Sequence, residues 1–449
     1  GIGSTAGASI ARNTKRPRSA LAMCQFLLAL GIGWAAYAIG DSLPFWPINL
    51  EMTSSPWITF QVDLARALWT LIPAAILWGA SFPLALASVP ARRGSDAGTL
   101  VGRVYAANTV GAIVGALGFS VLVIPMIGTL HAQQLLMGLC LVSALLATLP
   151  LFSAQTPKAA AGALAGGLVC AGVGVLAMVS IPVTPWIAEA FGRNSATWMH
   201  EAAPPMVNDD DMHLIFAQRY LGLTLRLEGE NVELTEADRA RATPGQAAWV
   251  EDHHKQLASA MKRLAAGGPA LPLLLANYYD NPKERPDRFC TFVGEGMNVS
   301  VAVTYVPDAS DPNNPHLYRY FHGAGKVQAS SDAADMRLQR SLGHLTALVH
   351  DANPANTPAE NVLVVACGAG VTAGSFVPYD TVKSITICDI EPMVPARVAP
   401  LFAKENYNVV ADPRTTVVLD DGRHFVRTTK EKFDIITSDP IDPWVKGCA

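Results

Sequence analysis

Charge is scarce in this 449-residue chain: Asp, Glu, Lys and Arg make up only 16% of it, against 50% hydrophobic residues. The mean hydropathy of +0.26 is too apolar for an ordinary soluble enzyme and implies membrane segments. No basic stripe accompanies the formal net charge of −4, which argues against nucleic acid as a partner. The seven cysteines are scattered, with Cys24, Cys140 and Cys170 inside apolar runs and no Cys-x-x-Cys spacing. Neither a zinc site nor a disulfide framework is read from them, and no metal is expected. The chain begins with Gly rather than Met, so its N-terminus is expected to be incomplete.

The apolar runs lie before residue 182. Helices are expected at about 20–40, 67–88, 106–128, 133–152 and 160–181, each near the roughly twenty residues that cross a hydrocarbon core. Interior charges are nearly absent, so no proton relay or ion pathway is indicated. Gly111-x-x-x-Gly115 in the third run reads as a helix-packing element, since small residues let backbones approach. Arg12, Lys15, Arg16 and Arg18 before the first run, and Arg92, Arg93 and Arg103 after the second, place both clusters in the cytoplasm. Five crossings would put everything after residue 182 outside, whereas a cytosolic cofactor would put it inside. The reading leans to a multi-pass inner-membrane protein with a cytoplasmic soluble part and leaves the side open.

Four regions follow: a transmembrane helical region at 1–185, a mixed insert with helices at 186–286, a small antiparallel β-sheet domain at 287–334, and a Rossmann-like domain at 335–449. Within the insert, His253–His254 reads as a solvated helix face rather than a metal site, because adjacent side chains diverge on a helix. The runs VSVAVTYV and LYRYFH alternate as short strands do, and DMRLQRSLGHLTALVH reads as an amphipathic helix leading into the last region.

Residues 361–449 alternate strand and helix patterns, which implies a parallel α/β sheet. NVLVVACGAGVTAG opens with a β-branched run suited to a strand buried on both faces. Gly368 and Gly370 follow, permitting a tight turn and close approach of backbone to a ligand. A second strand, SITICDIE, ends in Asp389 and Glu391, with Asp389 nineteen residues after Gly370. An acid at that strand end can accept hydrogen bonds from both ribose hydroxyls of a nucleoside. The third strand, TTVVL, ends in Asp420-Asp421-Gly422, where a carboxylate and bare backbone could meet an adenine. The fourth, FDIITS, delivers Asp439 and Asp442. These suit an amine ligand, with Asp439 removing its proton and Asp442 positioning it. Taken alone, DPIDP reads equally well as a turn with helix-capping aspartates.

The pattern GKVQAS, DMRLQRSLGHL, VLVVACGAGVTAG, ICDIEP, DDGRHF and FDIITSDPIDP resembles the spermidine synthase (polyamine aminopropyltransferase) family over roughly 287–449. More closely, it looks like the membrane-fused spermidine synthase-like proteins of bacteria, which GRVYAANTVGAIVGALG also resembles. The resemblance implies a transferase that moves an aminopropyl group from decarboxylated S-adenosylmethionine to a polyamine-like amine, with homodimerisation a further expectation. It implies Asp439 as catalytic and Asp442 as substrate-binding. Gln328, Gly368, Gly370, Asp389, Glu391, Asp421 and Gly422 would hold the donor.

Two departures stand out. Ala369 occupies the place of the family's aspartate in the glycine loop, and Leu338 that of a tyrosine before Gln339. Each charged hydrogen bond lost from a cationic ligand costs about 1.5–3 kcal/mol, which keeps two alternatives in view. One is a methyltransferase using ordinary S-adenosylmethionine, the other a non-catalytic nucleoside-binding membrane sensor. Pro395 and Pro400 predict a short or kinked helix after the second strand. Because such sheets continue past a fourth strand, the C-terminal domain is expected to be truncated.

Overall fold

The computed structural model describes residues 1–46, 55–89, 97–152, 157–192, 206–267 and 288–438. The chain divides into two compact units, Gly1–Pro185 and Trp186–Ala449.

The first unit is helical: α1 (Ile2–Asn13), α2 (Pro17–Tyr37), α3 (Pro56–Ser88), α4 (Ala97–Leu117), α5 (Ile124–Phe152) and α6 (Pro157–Val179). Pro17 and Pro56 open α2 and α3, where the missing N–H has no intrahelical partner to lose. Among the described residues, three helical stretches are long and apolar enough to cross a membrane: Pro17–Phe45, Pro56–Ser88 and Gly98–Leu149. Gly128, at φ 75° and ψ 168°, breaks the last of these, so the runs expected at 106–128 and 133–152 lie on either side of a kink.

Close backbone packing occurs in this unit, but not where the sequence placed it. A side chain at Gly3 or Gly7 of α1 would collide with the backbone of Ile76 or Ala80 in α3. Gly111 and Gly115 of α4 have no described neighbour within 4 Å of the place a Cβ would occupy. The spacing lets a helix approach closely, and a partner's position decides whether it does.

In the second unit, a helix at Trp186–Phe191 and another at Asp209–Ile215 precede a hairpin of β1 (Leu225–Glu228) and β2 (Asn231–Leu234). Gly229, at φ 66°, makes its turn. Helices Glu236–Arg241, Pro244–Asp252 and His254–Ala265 follow, the second opened by a capping box between Thr243 and Gln246. Next comes an antiparallel meander of β3 (Phe289–Glu295), β4 (Ser300–Asp308), β5 (His316–Gly323) and β6 (Lys326–Ser330).

Helix Ala333–Asp351 leads into a parallel sheet of β7 (Asn361–Val365), β8 (Ser384–Asp389), β9 (Thr415–Leu419) and β10 (Ile435–Ser438), in the order β10-β7-β8-β9. Val362, Leu363 and Val364 in β7 are fully buried, as an apolar run in an inner parallel strand requires. After β8 the two prolines leave no regular α-helix. Val394–Val398 is a π turn and Ala399–Phe402 a 3₁₀ turn, because proline removes an N–H and clashes with the preceding turn.

Candidate functional site

The site is built at the carboxyl ends of β7, β8 and β9. β7 runs into Ala366-Cys367-Gly368-Ala369-Gly370, where Ala366, Gly368 and Gly370 have φ of 69°, 53° and 79°. Glycine meets that demand without steric cost, whereas Ala366 holds a conformation that disfavours a Cβ. Ala366 N–H donates to Cys388 O at 2.8 Å and Gly370 N–H to Cys367 O at 2.8 Å, which fixes the loop's curl.

Asp389, the last residue of β8, is only 7% exposed. Its Oδ2 accepts from Cys367 N–H at 2.7 Å and its Oδ1 from Glu391 N–H at 2.8 Å. Burial pushes this carboxyl above the ordinary carboxylate range, while the amide donors act the other way. Ile390 N–H also bonds to this carboxylate, whose two oxygens offer about four acceptor sites together, so capacity to accept from a ligand remains. The acid and the glycine loop are therefore bonded to each other, 22 residues apart in sequence.

Glu391 is also buried, and both its oxygens are engaged. Oε2 accepts from Asn298 N–H at 2.8 Å and Oε1 from Met393 N–H at 3.2 Å. After β9, Asp421 caps the helix Gly422–Thr428 by accepting from Arg423 N–H (2.8 Å) and His424 N–H (3.1 Å). Those amides and the Arg423 guanidinium hold its carboxyl below the usual range. A Cβ on Gly422 would lie 2.5 Å from Val365 Cγ1, so glycine lets this helix start against the end of β7. Cys388 Sγ donates to Asp420 O at 3.4 Å, and its thiol is pushed up to about 11 by burial and then by Asp420, Asp389 and Asp421.

The structure thus brings together Gly368, Gly370, Asp389, Glu391, Asp421 and Gly422. Gln328 sits on β6 with its Nε2 donating to Gly323 O of its own hairpin at 3.2 Å. Ala369 is fully buried, so the loop presents no carboxylate at that position, and Leu338 is 53% exposed. Asp439 and Asp442 lie outside the described residues; β10, which immediately precedes Asp439 in sequence, pairs with β7 through Ser438 and Val365. Among the described residues no group of three or more His, Cys, Asp and Glu could hold a metal ion.

Two contributors escaped the sequence reading. Asn406 is fully buried and donates through Nδ2 to Ala369 O (2.9 Å) and Ala399 O (2.8 Å), staying the glycine loop from behind. Asn298 reaches the end of β8 from the β3–β4 turn. Neither lies in a motif; only their burial or pairing in three dimensions reveals them.

Residues 336–448 match the family model described as the spermine/spermidine synthase domain. The chain is 38% identical over 84 residues to a polyamine aminopropyltransferase of Buchnera aphidicola, covering 19% of this chain and 29% of that protein. It is 32% identical over 130 residues to the polyamine aminopropyltransferase of Pseudomonas syringae pv. tomato, covering 29% of this chain and 43% of that one. A crystal structure of spermidine synthase from Thermotoga maritima aligns with a TM-score of 0.28 at 22% identity, over 34% of this chain and 47% of that chain. The chain therefore spans less than half the length of these relatives. By the domain match and the two sequence relatives, residues 336–448 are similar to the spermine/spermidine synthase domain.

Proposed function

We propose that the chain is a membrane-anchored aminopropyltransferase, moving an aminopropyl group from decarboxylated S-adenosylmethionine to a polyamine-like amine. The observation that carries this reading is the bond between Asp389 and the Cys367 amide. It sets a carboxylate with remaining acceptor capacity beside a glycine loop at the carboxyl edge of a parallel sheet, where such sheets bind ligands. The family match supplies the reaction class.

On this reading Asp389 accepts from the ribose hydroxyls, and Asp421 with Gly422 lies on the adenine side. Gly368 and Gly370 let the loop approach the donor closely, and Gln328 reaches it from the small sheet. Glu391 supports the donor pocket from beside Asp389. Asp442 orients the amine by charge-assisted hydrogen bonds. The amine nitrogen attacks the aminopropyl carbon next to sulfur, the C–S bond breaks, and its electron pair goes to sulfur, releasing methylthioadenosine. Asp439 accepts the proton leaving the new secondary amine. No metal takes part. The main catalytic task is alignment, because the sulfonium is already a good leaving group.

Anchoring is read from the three long apolar stretches of the first unit, and the catalytic unit is assigned to the cytoplasm, where the donor is made. The test is incubation of the full-length protein in detergent with decarboxylated donor and a panel of diamines. The expected result is amine-dependent methylthioadenosine, lost in Asp389→Ala. If no amine releases it, the proposal fails.

A further inference from the structure

The end of β8 is held from an unexpected direction. The β3–β4 turn, closed by Gly296 N–H donating to Val299 O at 3.1 Å, lies directly against it. Asn298 N–H donates to Glu391 Oε2 at 2.8 Å, and Asn298 Nδ2 donates to Ile390 O at 2.8 Å. A Cβ on Gly296 would fall 2.5 Å from both carboxylate oxygens of Glu391, and one on Gly294 would fall 2.6 Å from Met393 Sδ. Two glycines on the small sheet are thus needed for the turn to seat on residues 391–393. The Glu391 side chain is 2% exposed.

We infer that Glu391 is a positioning residue: its carboxylate latches the β3–β4 turn onto the end of β8 and thereby fixes Asp389 relative to the glycine loop. This rests on the nucleoside-site reading of Asp389. Both Glu391 oxygens are already spent on the amides of Asn298 and Met393. Glu391 N–H in turn donates to Asp389 Oδ1. The chain of bonds therefore runs from the turn, through Glu391, to Asp389 and on to Cys367. Loss of the latch frees the turn of the small sheet and loosens the acid that meets the ribose. A charged hydrogen bond removed from a buried pair makes opening easier by about tenfold or more.

The experiment compares wild type, Glu391→Ala, Glu391→Gln and Gly296→Ala in the full-length protein. Hydrogen exchange is read at residues 294–300 without ligand, and methylthioadenosine affinity by calorimetry. The latch predicts about tenfold or faster exchange of the Asn298 amide in Glu391→Ala, with weaker methylthioadenosine binding. Glu391→Gln, which keeps an acceptor for that amide, restores most of both. Gly296→Ala, which pushes turn and carboxylate apart without altering Glu391, reproduces the Glu391→Ala result.

Unchanged exchange in Glu391→Ala overturns the inference. So does equal loss of binding in the Ala and Gln variants with the turn still protected, because that is the behaviour of a direct ligand. If wild type fails to bind methylthioadenosine, the nucleoside reading falls, while the exchange data still decide whether the latch exists.

Discussion

Arg319→Met is the perturbation whose cost follows most directly from the geometry. Arg319 on β5 is buried, and its guanidinium makes three contacts. Nε donates to Tyr305 Oη (2.7 Å), Nη1 to Glu405 Oε1 (2.8 Å), and Nη2 to His213 Nε2 (3.3 Å), whose Nδ1 donates to Asp209 O. Tyr305 Oη in turn donates to Asp209 Oδ1. With side chains only 7% and 14% exposed, the Arg319–Glu405 pair is little screened by solvent. Methionine fills similar space but leaves buried carboxylates without their cation, which costs about 3–5 kcal/mol. For a unit of this size that is a fall of about 6–20 °C in the melting transition.

Burial already pushes the Asp209 carboxyl up, and Arg319 is the largest influence opposing it. Removing Arg319 raises that folded-state pKa further, so the folded variant binds more protons than the unfolded chain and loses stability as pH rises. Calorimetric unfolding of wild type and variant at pH 5 and pH 7.5 is the assay, and the deficit should be larger at pH 7.5. Pairing Arg319→Met with Glu405→Leu should recover part of the loss. A drop of less than about 1 kcal/mol for Arg319→Met at pH 7.5, the value of a surface pair, would refute this account of the cluster.

His213 and His253 are buried and neutral, with pKa values lowered to about 4 and about 3, chiefly by burial. A depressed base stabilises the fold above its unfolded pKa of about 6.5, and that contribution is lost as pH falls toward the folded value. Denaturant unfolding from pH 7 to pH 4.5 should therefore show stability falling by up to about 1.4 kcal/mol per pH unit for each histidine, with a shallower slope in His253→Phe. Asn406→Ala strands the carbonyls of Ala369 and Ala399 and should cost about 1–3 kcal/mol for each, measurable by denaturant unfolding together with weaker methylthioadenosine binding. Gly422→Ala should destabilise by a kcal/mol or so, about the cost of overpacking, because its methyl group meets Val365.

The parallel sheet was legible because its strands are β-branched runs bounded by glycine, proline or aspartate, as β7 and β8 are. The apolar helices were legible from length and composition, and the broken segment after β8 from Pro395 and Pro400. What escaped depends on long-range contact. Arg319 meets His213 from 106 residues away and Glu405 from 86, which no local pattern encodes. His253 falls in the break between the helices Pro244–Asp252 and His254–Ala265 rather than on a helix face, and it is buried, its ring 4.3 Å from that of Trp249, rather than facing solvent. The β1–β2 hairpin was missed because LRLEGENVEL is rich in charge and carries a weak alternation. At the site, strand ends announced the acids. Their present partners, the Cys367 amide and the β3–β4 turn, could not be read from spacing.

The central claim is transfer chemistry at the edge where β7, β8 and β9 end, with Asp439 as proton acceptor. The most direct test is single-turnover reaction of Asp439→Asn with decarboxylated S-adenosylmethionine labelled in its aminopropyl group. The account predicts donor affinity like that of wild type, with label transfer to the amine slowed by about 10²–10⁴-fold. Transfer at the wild-type rate, or loss of donor binding in step with activity, would contradict it.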